Sequence, residues 1–311
     1  MSRIHEALKK AQEERAANPM LEAPLTDNRG AIAVAVGPVP SETANSDSIL
    51  TPSPRIPAGR VPTGYVRFDD LKTRCTQAQW HFDPKIDVFF DPTGTAPGAE
   101  QFRTLRSRLY QLRGVQPLKT VLITSSVPYE GKTFVTSNLV QAIVRQPDRR
   151  ALVIDADMRR SRIHTVWGAS PSPGLSDYLS GSADDLTVVQ HSPAAGNLCL
   201  IPSGSPVNNP SELLLNGRMK TLLDRLGPVF DWIIIDSPPC LPVADASVLA
   251  DVCDGVLLVV KAASTQLSTA QRACQELQSK KLIGVVLNGA DEGGQYGAYS
   301  YYEPSGAVFT Q

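Results

Sequence analysis

Glycine, lysine and a hydroxyl residue follow one another at Gly131, Lys132 and Thr133, after an apolar run that ends at Thr124 and before a helical stretch. Backbone N–H groups in such a loop and at the start of the helix can face phosphate groups. Lys132 would reach the β- and γ-phosphates of ATP, and the Thr133 hydroxyl would bind Mg²⁺. The strict pattern has glycine where Ser126 stands, so an ordinary turn is the alternative. The predicted nucleotide-binding residues are Ser126, Val127, Pro128, Tyr129, Glu130, Gly131, Lys132, Thr133 and Phe134.

Two apolar runs end in aspartate. One ends at Asp155 and is followed by Asp157, and the other ends at Asp236. Carboxylates at the end of a buried strand need a partner or a cation, and Mg²⁺ above the phosphate loop would meet that need. We therefore expect Asp236 and Asp157, with Thr133, at the metal, and Asp155 to accept a proton or hold water. The alternative is a set of strand-end caps and salt bridges to the following arginines, Arg159, Arg160 and Arg162.

These residues need a scaffold in which apolar strands alternate with helices. The pattern predicts strands at 119–124, 150–154, 197–201, 231–235, 255–260 and 282–287, and helices at 98–113, 132–145, 211–226, 243–252 and 264–280. Continuous apolar strands separated by helices indicate a mostly parallel sheet covered on both faces. The expected class is α/β, a three-layer P-loop fold with its nucleotide site at the carboxyl ends of the strands.

The chain divides by composition into four parts. Residues 1–16 predict a short amphipathic helix, either a frayed terminus or a docking element. Residues 17–97 predict a largely disordered linker, because 17–66 contain eight prolines and almost no aromatic residues, although 86–90 could form a short strand. Residues 98–290 form the predicted catalytic domain, and residues 291–311 a flexible tail.

Composition excludes several classes of protein. The formal net charge of the 311 residues is −1, so the chain lacks the excess of positive charge that is typical of proteins that bind nucleic acids. The N-terminus lacks the apolar segment of a secretory signal, and the longest apolar run, 256–260, is too short to cross a bilayer. Five scattered cysteines predict free thiols in a reducing cytoplasm. We therefore expect a cytoplasmic protein without a structural metal site or a membrane span of its own.

The three motifs together resemble those of the bacterial tyrosine kinases of capsule and exopolysaccharide systems. Residues 152–159 match the family's second motif, three apolar residues and DxDxR, and residues 233–239 match its third, three apolar residues and DxPP. The resemblance covers about residues 98–303. It implies an ATP- and Mg²⁺-dependent tyrosine autokinase in which Asp155 is the candidate proton acceptor. Two places depart from the family pattern: Tyr129 stands where many members have glycine, and 207–210 are less rich in proline.

Four of the eight tyrosines lie between residues 296 and 302, among glycines. They are Tyr296, Tyr299, Tyr301 and Tyr302. A terminal segment so rich in glycine is a poor core element, so we interpret it as a substrate segment whose tyrosines accept phosphate, although packing or a surface patch is the alternative. Phosphorylation of all four would add roughly −6 to −8 charges.

The predicted helix 98–113 carries Glu100, Arg103 and Arg106 at spacings of three. This spacing matches the family's ExxRxxR element, which links subunits into rings; a solvated face with a local Glu100–Arg103 pair is the alternative. The start, MSRIHEALKKAQEE, resembles members that lack a fused membrane domain. The resemblance therefore implies a separate membrane protein of the chain-length-determinant type as activator, which would recruit the kinase to the inner face of the membrane.

Two other functions compete with the kinase interpretation. A ParA/MinD-type ATPase switch has a related fold, but it carries an extra lysine early in the phosphate loop, where Val127 stands here. A scaffold that binds ATP and regulates polysaccharide export without transferring phosphate is the second. Both predict no phosphotyrosine after incubation with Mg·ATP.

Overall fold

A computed structural model describes residues 31–36, 67–90 and 98–290 of the chain. The strands are β1 Ala31–Val36, β2 Thr76–Gln77, β3 Thr120–Ser125, β4 Ala151–Asp155, β5 Gln190–His191, β6 Leu198–Ile201, β7 Trp232–Asp236, β8 Gly255–Lys261 and β9 Leu282–Ala290. The helices are α1 Phe68–Arg74, α2 Ala99–Arg113, α3 Lys132–Val144, α4 Ile163–Trp167, α5 Leu175–Ser180, α6 Pro210–Leu215, α7 Arg218–Leu226, α8 Asp245–Ala250 and α9 Leu267–Glu276. Two 3₁₀ turns complete the elements of the described ranges, Pro193–Ala195 and Gly227–Val229.

Nine strands of the described chain form one sheet in the order β1-β9-β8-β3-β7-β4-β6-β5-β2. The six strands from β9 to β6 are mutually parallel, while β1 joins β9 and β5 joins β6 in antiparallel pairs. Because β3, β7 and β4 are neighbours and parallel, their carboxyl ends lie side by side. The phosphate loop, residues 126–131 after β3, therefore meets both acidic strand ends at the carboxyl end of the parallel strands.

The sheet is buried on both faces, as the continuous apolar strands predict. Successive residues of β7 alternate between two apolar clusters: Ile233 and Ile235 pack in one, and Trp232 and Ile234 in the other. Every residue of β3, β4 and β7 is buried. Two-sided burial in a parallel sheet is what the α/β class requires, and the predicted fold class is confirmed.

The predicted strands all occur within one or two residues of their expected ends, apart from a longer β9. The predicted helix 211–226 is instead two helices, α6 and α7, separated at Asn216 and Gly217. Gly217 has φ 78°, a left-handed conformation that interrupts a helix and that glycine adopts without strain. The five cysteines are free thiols, as predicted.

Residues 67–90 differ from the predicted linker, because they pack against the domain. Phe68 and Leu71 of α1 are buried in one apolar cluster, and Trp80 and Phe89 in the other. The prediction that residues 86–90 could form a short strand is wrong, since these residues form turns. Their backbone is bonded by side chains: the Asn138 amide donates to the Ile86 carbonyl at 2.9 Å and accepts the Val88 N–H at 2.9 Å.

The backbone of β1 also falls within the predicted linker, where it extends the sheet as an antiparallel edge strand beside β9. The folded part of the chain therefore includes residues well before 98. The predicted helix at 1–16 and the tyrosines at 296–302 lie outside the described residues. Within the described ranges, no helix has the length and apolar character needed to span a bilayer.

Candidate active site

The loop between β3 and α3 turns sharply at two residues with positive φ. Gly131 has φ 92° and Tyr129 has φ 69°. The angle at Tyr129 belongs to a region that favours glycine, which accounts for the glycine of the family pattern at this place. At Gly131 an added Cβ would overlap the side-chain amide of Asn288, so only glycine fits there.

Buried contacts fix this loop from the inside. The Glu130 side chain is 2% exposed, and its Oε2 accepts the Val127 N–H at 2.7 Å. Its Oε1 accepts the hydroxyl of Thr265, and the Asn288 amide donates to the Glu130 carbonyl at 3.0 Å. Burial raises the pKa of Glu130 above its ordinary value. Glu130 is therefore a loop anchor whose carboxylate is bonded by the chain itself, and the predicted contact of this loop with the nucleotide stays a prediction for its backbone N–H groups.

Lys132 and Thr133, the first two residues of α3, each contact one of the strand-end carboxylates. Lys132 Nζ lies 2.9 Å from Asp157 Oδ2, and the Thr133 hydroxyl donates to Asp236 Oδ2 at 2.8 Å. One turn further along α3, the Thr136 hydroxyl donates to Asp236 Oδ1 at 3.1 Å. The structure thus brings the loop lysine and the end of each acidic strand together.

Charge holds Lys132 in its ionised form. Burial by itself lowers the pKa of this amine, but the neighbouring carboxylates of Asp236 and Asp157 outweigh burial and raise the pKa overall. A lysine that stays protonated in a buried place supplies a fixed positive charge, which is what binding of the terminal phosphates requires.

Two buried carboxylates stand directly opposite each other on neighbouring strands. Asp155 and Asp236 are register partners of β4 and β7, and their exposed fractions are 0% and 1%. Burial, followed by the negative charge of Asp236, raises the pKa of Asp155 to about 7. Burial also raises the pKa of Asp236, although the Lys132 ammonium opposes that shift. A carboxyl group that titrates near neutrality is suited to accept a proton.

The donor set fits a magnesium nucleotide. In the part of the chain that the structure describes, His, Cys, Asp and Glu do not form a group of three that could hold a metal ion. Magnesium is usually held by one or two carboxylates together with phosphates and water, so Thr133, Asp157 and Asp236 are a sufficient protein contribution. The buried Ser126 hydroxyl has no hydrogen-bond partner among the described residues, which leaves a polar group for a ligand at the loop.

Comparison with known proteins gives the family. The chain is 34% identical to the tyrosine-protein kinase YwqD of Bacillus subtilis over 206 residues, which are 66% of this chain and 86% of YwqD. The chain belongs to the bacterial tyrosine-protein kinase family. Tyrosine-protein kinase CpsD of Streptococcus agalactiae is 33% identical over 65% of this chain and 89% of its own length. No protein-family model matches the chain.

Other family members are much longer proteins. The putative tyrosine-protein kinase EpsB of Ralstonia solanacearum is 36% identical over 216 residues, but the match spans 67% of this chain and only 28% of EpsB.

Among solved structures, the kinase domain of Escherichia coli tyrosine kinase Etk has a TM-score of 0.63 and 32% identity over 67% of this chain and 81% of that one. The BceF tyrosine kinase domain has a TM-score of 0.60 and 28% identity over 73% and 92% of the two chains.

The arginine of the family's DxDxR motif has a partner outside the loop. Arg159 Nε donates to Asp245 Oδ2 at 2.8 Å, and Asp245 is fully buried at the start of α8. Arg159 also donates to Ser211 at 3.0 Å. Of the arginines proposed as alternative partners for the strand-end aspartates, Arg160 contributes its backbone N–H to Asp157 Oδ1 at 2.9 Å. The guanidinium of Arg159 therefore ties the acidic strand end to α6 and α8.

The ExxRxxR residues lie on α2. Arg103 and Glu100 form an exposed pair at 3.0 Å, as the alternative interpretation of this motif expects. Arg106 Nη1 donates to the Ala142 carbonyl of α3 at 2.6 Å. Arg106 thus joins α2 to α3 within one chain, which neither requires nor prevents contact of the motif with a second copy.

Two residues that contact the site, Thr136 and Asn288, are absent from the sequence-based prediction. Thr136 follows Thr133 by three residues on a helix, a spacing that places both on one face. Asn288 lies near the carboxyl end of β9, where polar residues of a parallel sheet often face a ligand site. The sequence indicates a site role for these two residues only weakly, because a single threonine or asparagine occurs in many structural contexts.

Proposed function

We propose that the protein is an ATP-dependent protein-tyrosine autokinase that transfers the γ-phosphate of ATP to its own C-terminal tyrosines, Tyr296, Tyr299, Tyr301 and Tyr302. The observation that carries this proposal is the meeting of Lys132 with Asp157 and of Thr133 with Asp236 at one sheet edge. Sequence similarity to proteins named tyrosine-protein kinase supports tyrosine as the residue that accepts the phosphate.

The loop and the start of α3 would hold the triphosphate. N–H groups in the first turn of a helix lack intrahelical partners and favour an anion. Lys132 would exchange its contact with Asp157 for one with the terminal phosphates, because its ammonium is the cation of the loop. Thr133, Asp157 and Asp236 would hold Mg²⁺, which neutralises developing phosphate charge when bound.

Asp155 would take the proton in the transfer step. The tyrosine oxygen forms a bond to the γ-phosphorus, the bond between this phosphorus and the bridging oxygen breaks, and ADP leaves with the electron pair. The phenolic proton, whose pKa is about 10 in a free tyrosine, passes to the Asp155 carboxylate. Burial, followed by the charge of Asp236, raises the pKa of Asp155 above its ordinary value, which makes its carboxylate a stronger base than that of an ordinary aspartate.

The proposed cellular role is control of exopolysaccharide or capsule polymerisation and export. In this proposal the chain is cytoplasmic, and a separate membrane-anchored activator of the chain-length-determinant type recruits it to the membrane. Glu100, Arg103 and Arg106 would contact neighbouring copies in a ring, and each tail would enter an adjacent subunit's site. Roughly −6 to −8 charges on phosphorylation would loosen the ring by repulsion.

Phosphopeptide mapping of the purified full chain tests this function. After incubation with Mg·ATP we expect phosphotyrosine in the C-terminal peptide of the wild type and none in Lys132→Met. Replacing the four tail tyrosines with phenylalanine should remove the label and leave ADP affinity unchanged. Consumption of ATP without any phosphotyrosine would instead support an ATPase switch, and nucleotide binding without turnover would support a scaffold.

A further inference from the structure

Both oxygens of the Asp155 carboxylate are bonded by the segment that follows β4, but unequally. Oδ2 accepts the Ser161 hydroxyl at 2.7 Å and the Ile163 N–H at 3.2 Å. Oδ1 accepts only the Asp157 N–H, at 3.2 Å, among the hydrogen bonds of the described residues. Each carboxylate oxygen offers about two acceptor positions, so Oδ2 is saturated and Oδ1 keeps one.

Ser161 is itself held by a histidine. His164 Nδ1 lies 2.8 Å from the Ser161 oxygen, and His164 Nε2 lies 3.2 Å from the Thr165 hydroxyl. The single hydroxyl proton of Ser161 goes to Asp155, so the contact with His164 requires a proton on Nδ1. Burial and the nearby Arg162 charge lower the pKa of His164, which favours the neutral imidazole. His164 is then the Nδ1–H tautomer, with Nε2 free to accept from Thr165.

Histidine, serine and aspartate in contact could also form a nucleophilic triad, but the direction of the hydrogen bonds argues against it. In such a triad the serine gives its proton to the imidazole, and the carboxylate orients the imidazole. Here the serine hydroxyl donates to the carboxylate, and the imidazole supports the serine. The contacts therefore run from His164 through Ser161 to Asp155, and Asp155 is the group that they support.

We propose that Ser161 and His164 are positioning residues that saturate Oδ2 of Asp155 and so make Oδ1 the atom that receives the tyrosine proton. The inference rests on the proposed kinase function. A carboxylate has nearly two-fold symmetry about its last torsion, so without a fixed partner its oxygens are interchangeable. The hydrogen bonds from Ser161 and Ile163 remove this symmetry. Catalytic rates are sensitive to displacements of about 1 Å, so loss of this support should slow transfer.

The test compares two kinds of variant in the full-length protein. Ser161→Ala and His164→Ala should each lower the maximal rate of phosphotyrosine formation by about 10-fold, with the KM for ATP changed less than about 2-fold. Ser161→Thr retains a hydroxyl and His164→Asn retains an N–H donor, so both should keep most of the rate. Ser170→Ala and His81→Ala are matched controls, because both side chains are exposed and lie outside the chain of contacts.

A double-variant cycle separates positioning from general damage. Because His164 acts through Ser161, the double alanine variant should be no slower than Ser161→Ala alone. Neither change should slow an Asp155→Asn enzyme further. The proposal would be overturned if the rate losses of the two single alanine variants multiplied in the double variant. It would also be overturned if the single alanine variants reacted at the wild-type rate. If Ser161→Ala does not fold, His164→Ala against His164→Asn gives the same decision, since equal losses in both would contradict it.

The outcomes also distinguish this inference from the function beneath it. Absence of phosphotyrosine from the wild type would remove the kinase function itself. A wild-type rate in Asp155→Asn would remove Asp155 as proton acceptor. An inactive Asp155→Asn beside fully active Ser161→Ala and His164→Ala would overturn the positioning role alone.

Discussion

The first turn of α3 and its later turns are held by different kinds of contact. At the N-terminal end, Lys132 and Thr133 contact the buried carboxylates of Asp157 and Asp236. Further along, residues 86–89 bond the helix from outside the sheet: Asn138 pairs with the backbone of that segment, and Arg145 donates to the Phe89 carbonyl at 2.7 Å. Each contact of the first set is made to a buried carboxylate, whereas the second set joins side chains to backbone groups.

The difference separates contacts that a ligand would rearrange from contacts that only hold the helix. A lysine paired with a buried carboxylate can exchange that partner for phosphate, whereas a backbone carbonyl bonded by an amide has no such alternative. Clustered carboxylates also carry raised pKa values, because burial disfavours their charge. We therefore expect variants at the N-terminal end to change catalysis first, and variants at residues 80–89 and 138 to change stability first.

The largest expected effect is that of Lys132→Met. Removing a charge that acts on the developing transition state should lower the rate of phosphotyrosine formation about 10³-fold. Rapid-quench assays with labelled ATP would measure this rate. Lys220→Met is a matched control on an exposed helix face, and it should react at the wild-type rate. A Lys132→Met enzyme within threefold of wild type would end the assignment of catalysis to this end of α3.

Trp80→Ala comes next, on the structural side of the comparison. Trp80 is 6% exposed and packs against Trp167 and Phe82 with ring centroids 5.2 Å and 6.3 Å away. Its removal should lower the free energy of unfolding by about 3 kcal/mol. Phe90→Ala, in the same segment but 60% exposed, should change it by less than about 0.5 kcal/mol. Equal effects in urea titrations would mean that residues 67–90 do not belong to the folded domain.

A dependence of stability on pH should arise at Asp155. Its folded-state pKa is raised from 3.8 to about 7, so the folded protein binds a proton that the unfolded chain releases between these values. The free energy of unfolding therefore falls as pH rises through this window. Asp155→Asn lacks this loss, so from about pH 4.5 to about pH 6.5 it should gain at most about 2.5 kcal/mol relative to wild type. Urea titrations without nucleotide would measure it; a constant difference would contradict the raised pKa.

The smallest of these effects is expected for Asn138→Ala. The change leaves the buried Val88 N–H and the Ile86 carbonyl without a partner, which should cost about 2 kcal/mol of stability. Nucleotide affinity should change little, because Asn138 lies more than one helical turn beyond Thr133. Calorimetry with ADP would check this, with Asn209→Ala as an exposed control. A large loss of ADP affinity would show that residues 86–89 act on the site and not only on the helix.

Residues 98–290 were largely predictable because their signals are local. Apolar runs of five or six residues, each followed by a helical pattern, predicted the central strands, and Gly131-Lys132-Thr133 predicted the loop. Residues 67–90 were not predictable, since Phe68, Trp80 and Phe89 follow no helical or strand period. Their order comes from aromatic packing and from hydrogen bonds to α3, which no local pattern encodes.

Sequence alone determined the fold class, the phosphate loop and the identity of the aspartates that end β4 and β7, because each depends on residue type and near neighbours. Only the tertiary structure decided that Asp155 and Asp236 stand opposite each other, that Glu130 turns inward, and that Ser161 and His164 support Asp155. These contacts depend on strand order and on how segments distant along the chain pack together. The strength of burial and of charge at the site follows from that packing, and with it the pKa of Asp155.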